Sequence, residues 1–248
     1  MIVTPSHVAG IIAGDGTMSD GRIRGVAPGA ALVPVRVLDP RGNGKLASML
    51  EGIEWILSVQ KKLEIRIVNI SAGATWKQGE NSRLVLAVNA LWDAGMIVCT
   101  AAGNEGDGKT NITSPGVSRK TITVGSCDDG LMIDEHGRKF ENYSGRGPTL
   151  SCICKPEVIA PGTNIISVNS MRRRSDPPYS VKSGTSMSTP IVSGAIALLL
   201  EKYPAMTNRD VKLRIRERAV DMKLSFCHQG WGRLSIPALL SEKWKENP

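Results

Sequence analysis

The run Gly184-Thr185-Ser186-Met187-Ser188-Thr189-Pro190, followed by small and apolar residues from 191 to 200, puts a serine hydroxyl at the start of a buried helix. The glycine permits a turn that lifts the hydroxyl clear of the backbone, and Pro190 fits a first helical turn, where a missing N–H costs nothing. At a helix N-terminus Ser186 meets exposed N–H groups and the positive end of the helix dipole, both of which favour developing negative charge. The chemistry this suits is nucleophilic acyl transfer. Serine and threonine are also ordinary helix caps, so the motif needs companions.

Two other stretches supply them. Val98-Cys99-Thr100-Ala101-Ala102-Gly103-Asn104-Glu105-Gly106 is an apolar strand ending in small residues and one asparagine. A carboxamide just past a strand end can donate a hydrogen bond to an oxyanion, as acyl transfer requires. Val68-Asn69-Ile70-Ser71-Ala72-Gly73 is a second buried strand running into small residues, against which an extended peptide could lie.

With these motifs in this order the chain resembles the subtilase family of serine endopeptidases over almost its whole length. Gly25-Val26-Ala27-Pro28-Gly29-Ala30, leading into 32–38, is similar to the segment between the family's histidine helix and a core strand. Lys155-Pro156-Glu157-Val158-Ile159-Ala160-Pro161-Gly162 resembles a family turn. Each pattern alone is weak; five in the family's order are specific. The resemblance implies Ser186 as nucleophile, with Asn104 and the Ser186 N–H holding the oxyanion. It implies an extended peptide or protein substrate lying between Gly42-Asn43-Gly44 and Ser71-Ala72-Gly73, with Ala101, Ala102 and Gly103 as walls of a specificity pocket. It assigns no metal and no cofactor, because the family's calcium loops often lie further N-terminal.

The pattern departs from the family at the other end. Subtilases run Asp, His, Ser along the chain, the histidine opening a His-Gly-Thr-His-Val-Ala-Gly segment. Here that stretch reads Thr4-Pro5-Ser6-His7-Val8-Ala9-Gly10. Thr4 stands at the general-base position, His7 aligns with the second, non-catalytic histidine, and no acidic member is present. Threonine cannot accept the serine proton near neutral pH. In subtilisin itself, loss of nucleophile or base costs about 10⁶ in kcat. Weak or no proteolysis is therefore expected of residues 1–248 alone, which read as one partial catalytic domain. Three accounts stay open: a fragment of an active endopeptidase, a non-catalytic peptide binder, and a gene remnant.

Other histidine arrangements are weaker. On a helix, position 7 stands roughly 5 Å along the axis from position 4, too far for the same base role. His7 therefore reads as a helix residue donating a structural hydrogen bond, and His136 as a solvated loop residue. Ser186, Asp221 and His228 follow the Ser, Asp, His order of α/β-hydrolases, but they are too closely spaced for that fold, and Ser188 breaks the Gly-x-Ser-x-Gly elbow.

The elements that must position these residues are those of an α/β fold: a subtilisin-like three-layer arrangement, its mostly parallel sheet between helices, with N-terminal strands missing. Continuous apolar runs at 32–38, 65–71, 96–101, 121–126 and 158–160 suit a parallel sheet covered on both faces. Leu46, Met49, Leu50, Ile53, Ile56 and Leu57 recur at helical spacing. Ser82 can cap a helix over 84–94 that Gly95 ends, and Thr207 with Asp210 is close to a capping box opening a helix over 208–219. A last helix is expected over 236–245. Loss of an interior strand would leave unpaired sheet edges and a risk of aggregation.

The net charge of +8 invites a nucleic-acid reading. Arg172-Arg173-Arg174 lies in a polar loop, and Lys212, Arg214, Arg216 and Arg218 read as a solvated helix face. Without aromatic interleaving or a recognition motif, nucleic acid is not expected as a partner. Five cysteines, odd in number and without metal spacing, suit free thiols in a reducing compartment. No signal-peptide pattern or membrane-length apolar run is visible, so cytoplasmic residence is expected of the chain as given; a preceding region could carry an export signal.

Overall fold

The structure, a computed structural model, describes residues 5–39, 43–72, 81–106, 108, 110–130, 132–133, 139–170 and 175–242. In chain order the elements are α1 (Pro5–Ala13), α2 (Leu46–Val59), β1 (Ile67–Ile70), α3 (Arg83–Asp93), β2 (Ile97–Ala101), β3 (Ile122–Ser126), β4 (Met132–Ile133) and β5 (Lys139–Phe140). They continue with β6 (Val158–Ala160), β7 (Ile165–Val168), β8 (Tyr179–Lys182), α4 (Thr185–Lys202), α5 (Asn208–Arg218), α6 (Phe226–Gln229) and α7 (Ile236–Leu239).

The central sheet has the order β1-β2-β3-β6, every neighbouring pair parallel. All residues of β2, β3 and β6 are buried, as strands covered on both faces require. Successive side chains divide between the two faces. Val98 joins Val68 and Ile70 under α2 and α3, whereas Ile97 and Cys99 join Ile122, Val124 and Val158 under α4 and α5. This is the expected three-layer α/β architecture. α4 packs across all four strands, so the helix that begins beside Ser186 is the spine of the molecule.

Local signals place the helices well. Ser82 Oγ accepts from the Val85 N–H at the start of α3, and Thr207 and Asp210 form the reciprocal capping box of α5. A buried ion pair, Lys155 Nζ to Glu157 Oε1 at 2.6 Å, marks the start of β6. Glu157 Oε2 also accepts from the Thr123 N–H at 2.8 Å, tying β6 to β3.

Several expectations are corrected. The run 32–38 is not a ladder strand. Val35 and Leu38 carry isolated bridges, that of Leu38 running antiparallel to Gly44, and Val35, Val37 and Leu38 are used in packing against the α2–α3 cluster. In the sheet as described, β1 is therefore an edge strand. Pro190 lies beyond the first turn, because α4 already begins at Thr185. Its missing N–H leaves the Ser186 carbonyl without its usual helical donor. The last helix is shorter than expected: α7 ends at Leu239, where the buried Arg214 guanidinium takes the Leu239 carbonyl at 3.1 Å and also bonds the Ser241 carbonyl. For the same reason the basic residues of α5 are not one solvated face, since Arg214 is fully buried. Lys212 also turns inward, donating to the Arg119 and Thr121 carbonyls, each at 2.9 Å. The antiparallel pairs β4–β5 and β7–β8 and the short α6 stand beyond the elements expected from apolar spacing. Thr4, His136 and Arg172-Arg173-Arg174 lie outside the described residues.

Candidate active site

Ser186 sits at the second position of α4, half-buried, directly after the buried Gly184-Thr185 turn. Gly184 has φ 137°, a region that side chains rarely adopt. A Cβ there would also fall 3.0 Å from Asn104 Nδ2. The glycine thus leaves open the space beside the asparagine amide.

Asn104, exposed just beyond β2, is tethered to this turn. Its Oδ1 accepts from the Thr185 N–H at 2.9 Å and from the Thr185 hydroxyl at 3.1 Å. A backbone N–H can only donate, so the oxygen of the carboxamide is the atom held and the NH₂ is left to face Gly184. Thr185 Oγ1 in turn accepts from the Gly103 N–H at 3.1 Å. One fully buried hydroxyl therefore ties both residues of the Gly103-Asn104 segment to the helix carrying Ser186. Sequence reasoning missed Thr185, because its partners lie more than 80 positions away and no local pattern marks them.

The other flank is β1. Ser186 Oγ donates to the Ser71 carbonyl at 2.9 Å. Behind it, Ser193 Oγ donates to Asn69 Oδ1 at 2.9 Å and Asn69 Nδ2 donates to Ser71 Oγ at 2.8 Å, all within the core. These polar bonds fix the register of α4 on the end of β1. From below, Asp128 Oδ1 accepts from the N–H groups of Gly162 and Thr163 at 2.7 and 3.1 Å, and the Gly162 carbonyl accepts from the Gly184 N–H at 2.8 Å. A Cβ on Gly162 would meet Ser188 Oγ at 2.3 Å and Ser126 Oγ at 2.6 Å, so this close approach needs glycine.

The remaining expected groove residues fall as follows. Ser71 is buried and Ala72 half-buried beside Ser186, while Gly73 lies outside the described residues. Asn43 and Gly44 are exposed, and the Asp39 N–H donates to the Asn43 carbonyl at 2.9 Å; Gly42 lies outside the described residues. Ala101 and Ala102 are buried, Ala102 against Val85, Ile112 and Val117. Of those three wall residues only the half-buried Gly103 reaches the surface, and its carbonyl already accepts from the Gly145 N–H at 2.8 Å.

Neither described histidine serves Ser186. His7 is buried, its Nε2 donating to the Ser180 carbonyl at 3.1 Å, and burial pulls its pKa down. This is the structural hydrogen bond expected of it. His228 Nε2 lies 3.5 Å from Asp129 Oδ1, whereas Asp221 accepts from Lys223 and Gln229. The Ser186, Asp221, His228 alternative is thereby excluded. Among the described residues no group of His, Cys, Asp and Glu could hold a metal ion, and no helix is long and apolar enough to cross a membrane.

A serine thus opens the central helix of a parallel α/β sheet, with an asparagine carboxamide held beside its turn. Residues 6–232 match the model of the Subtilase family, and the chain belongs to that family. It is 40% identical over 222 residues to Serine protease AprX of Bacillus subtilis, covering 84% of this chain and 50% of that protein. With Thermostable alkaline protease of Halalkalibacterium halodurans it shares 36% identity over 214 residues, covering 86% of this chain and 51% of the relative. The chain thus spans about half the length of these curated relatives. Among solved structures, Sphericase superposes with a TM-score of 0.73 at 28% identity, over 92% of this chain and 75% of that one.

Proposed function

We propose that this chain carries the nucleophile and oxyanion parts of a serine endopeptidase site, with Ser186 attacking the peptide carbonyl. Asn104 Nδ2 and the Ser186 N–H would hold the tetrahedral oxyanion. The observation that carries the reading is the Thr185 tether, which presents the NH₂ of Asn104 beside the serine turn. An extended peptide would lie along Ser71-Ala72-Gly73 on one side and Gly42-Asn43-Gly44 on the other, pairing through its backbone.

Residues 1–248 by themselves would hydrolyse peptides poorly. Ser186 Oγ is donated to a carbonyl, the two described histidines are engaged elsewhere, and Thr4 has no basic group to offer. The test is turnover of a peptide p-nitroanilide by purified 1–248 and by Ser186→Ala. The expected Ser186-dependent rate is about 10⁻⁵ s⁻¹ or less, an ordinary protease rate near 10 s⁻¹ reduced by about 10⁶. A Ser186-dependent rate near the ordinary value would refute this part of the reading. The bond from Ser186 Oγ to the Ser71 carbonyl also favours a second reading, a non-catalytic peptide binder; peptide affinity without turnover, unchanged in Ser186→Ala, would support it. The free cysteines support residence in a reducing compartment.

A further inference from the structure

Away from Ser186, the chain around α6 is laid tightly against the start of β6. The Gly147 N–H donates both to the Lys155 carbonyl at 2.9 Å and to the Cys227 carbonyl at 3.2 Å. The Trp231 N–H donates to the Glu157 carbonyl at 2.8 Å, the Ile159 N–H to the Gly232 carbonyl at 3.1 Å, and the Leu234 N–H to the Ile159 carbonyl at 2.8 Å. At Gly230 the backbones approach so closely that a Cβ would fall 2.2 Å from the Pro156 carbonyl oxygen. The Gly147 N–H shared by the Lys155 and Cys227 carbonyls brings the backbone at 227 beside residues 154 and 155, so that the Cys154 and Cys227 side chains are neighbours. Both are free, Cys154 exposed and Cys227 half-buried. Neither has a place in the proposed hydrolytic chemistry.

We propose that Cys154 and Cys227 are a redox-responsive dithiol, and that its oxidation to a disulfide staples the α6 segment to the start of β6. With hydrogen peroxide as oxidant, the exposed Cys154 thiolate attacks a peroxide oxygen, the O–O bond breaks, and the departing hydroxide takes up a proton to become water. The product is a sulfenic acid on Cys154. The Cys227 sulfur then displaces the hydroxyl as a second water, forming the S–S bond. In balance, two thiols lose two electrons and two protons, and one peroxide becomes two waters. Cys154 is exposed and Cys227 only half-exposed, so Cys154 is the thiol that peroxide reaches first. The closed loop from 154 to 227 contains Ser186 and α4, so the bond would restrain separation of the C-terminal segment from the sheet that supports the site.

The test treats folded 1–248 with one equivalent of hydrogen peroxide, blocks the remaining thiols with N-ethylmaleimide, and maps the digest by mass spectrometry. The expected result is a mass loss of about 2 Da before blocking, a peptide cross-linked between Cys154 and Cys227, and a Tm raised by several degrees, all reversed when dithiothreitol is added before the maleimide. Cys152→Ser should retain the cross-link and the Tm shift, while Cys154→Ser and Cys227→Ser should each lose both. A cross-link through Cys152, a gain of about 32 Da on Cys154 without a cross-link, or an unchanged mass would overturn the pairing. A Cys154–Cys227 cross-link with unchanged Tm would overturn the staple.

Discussion

Thr185 holds Asn104 by two hydrogen bonds to the same oxygen: the backbone N–H at 2.9 Å and the side-chain hydroxyl at 3.1 Å both reach Asn104 Oδ1. The first survives removal of the side-chain hydroxyl; the second does not. Thr185→Val should therefore loosen the carboxamide and free the Gly103 N–H while preserving the shape of the residue. Acylation of Ser186 by an activated ester is expected to slow about 10-fold, a loss close to one hydrogen bond. Asn104→Leu should cost more, about 10²–10³, the range known from the oxyanion asparagine of subtilisin itself. Stopped-flow acylation rates check both, and equal rates in wild type and Asn104→Leu would remove the asparagine from the oxyanion site.

Gly162 supports the serine turn from beneath, its carbonyl accepting from the Gly184 N–H. A methyl group there would collide with Ser188 Oγ and Ser126 Oγ and come within 3.0 Å of the Gly184 carbonyl oxygen. Gly162→Ala is expected to cost about 2 kcal/mol of stability, as overpacking of a closed core does, and to slow acylation by displacing the turn. Urea unfolding measures the first effect; a midpoint matching wild type would show that the turn is not held as tightly as described.

His7 gives a pH dependence with a definite sign. Burial lowers its pKa from the ordinary 6.5, with Lys182 adding to the effect and the bond to Ser180 opposing it. The unfolded chain then binds the proton more readily than the folded one. The contribution of a neutral His7 is fully present above pH 6.5 and is lost as the pH falls below it. The urea midpoint of wild type should fall further between about pH 7.5 and 5.5 than that of His7→Gln, which keeps a donor but cannot titrate. Parallel profiles for the two proteins would contradict this.

What the sequence disclosed depended on how local each feature is. α2, α3 and α5 follow from apolar spacing and from caps such as Ser82 and Thr207, whose partners lie three residues away. The buried strands follow from continuous apolar runs. The run 32–38 carries the same signal yet shows only isolated bridges among the described residues, because apolarity alone does not fix which backbone a run pairs with. Arg214 looked solvated because its carbonyl partners, on Leu239 and Ser241, come from a different helix end. At the site, Ser186 and Asn104 were legible from motif and order, whereas the Thr185 tether, the Asn69–Ser193 bond and the Asp128–Gly162 support each join residues far apart in the chain.

The most direct measurement is the adduct formed when folded 1–248 meets p-nitrophenyl acetate, with and without added imidazole as a substitute base, followed by peptide mapping. A single acetyl group on Ser186, formed faster with imidazole and abolished in Ser186→Ala, is the predicted result. Acetylation spread over lysines, at a rate identical in wild type and Ser186→Ala, would contradict the assignment of Ser186 as nucleophile.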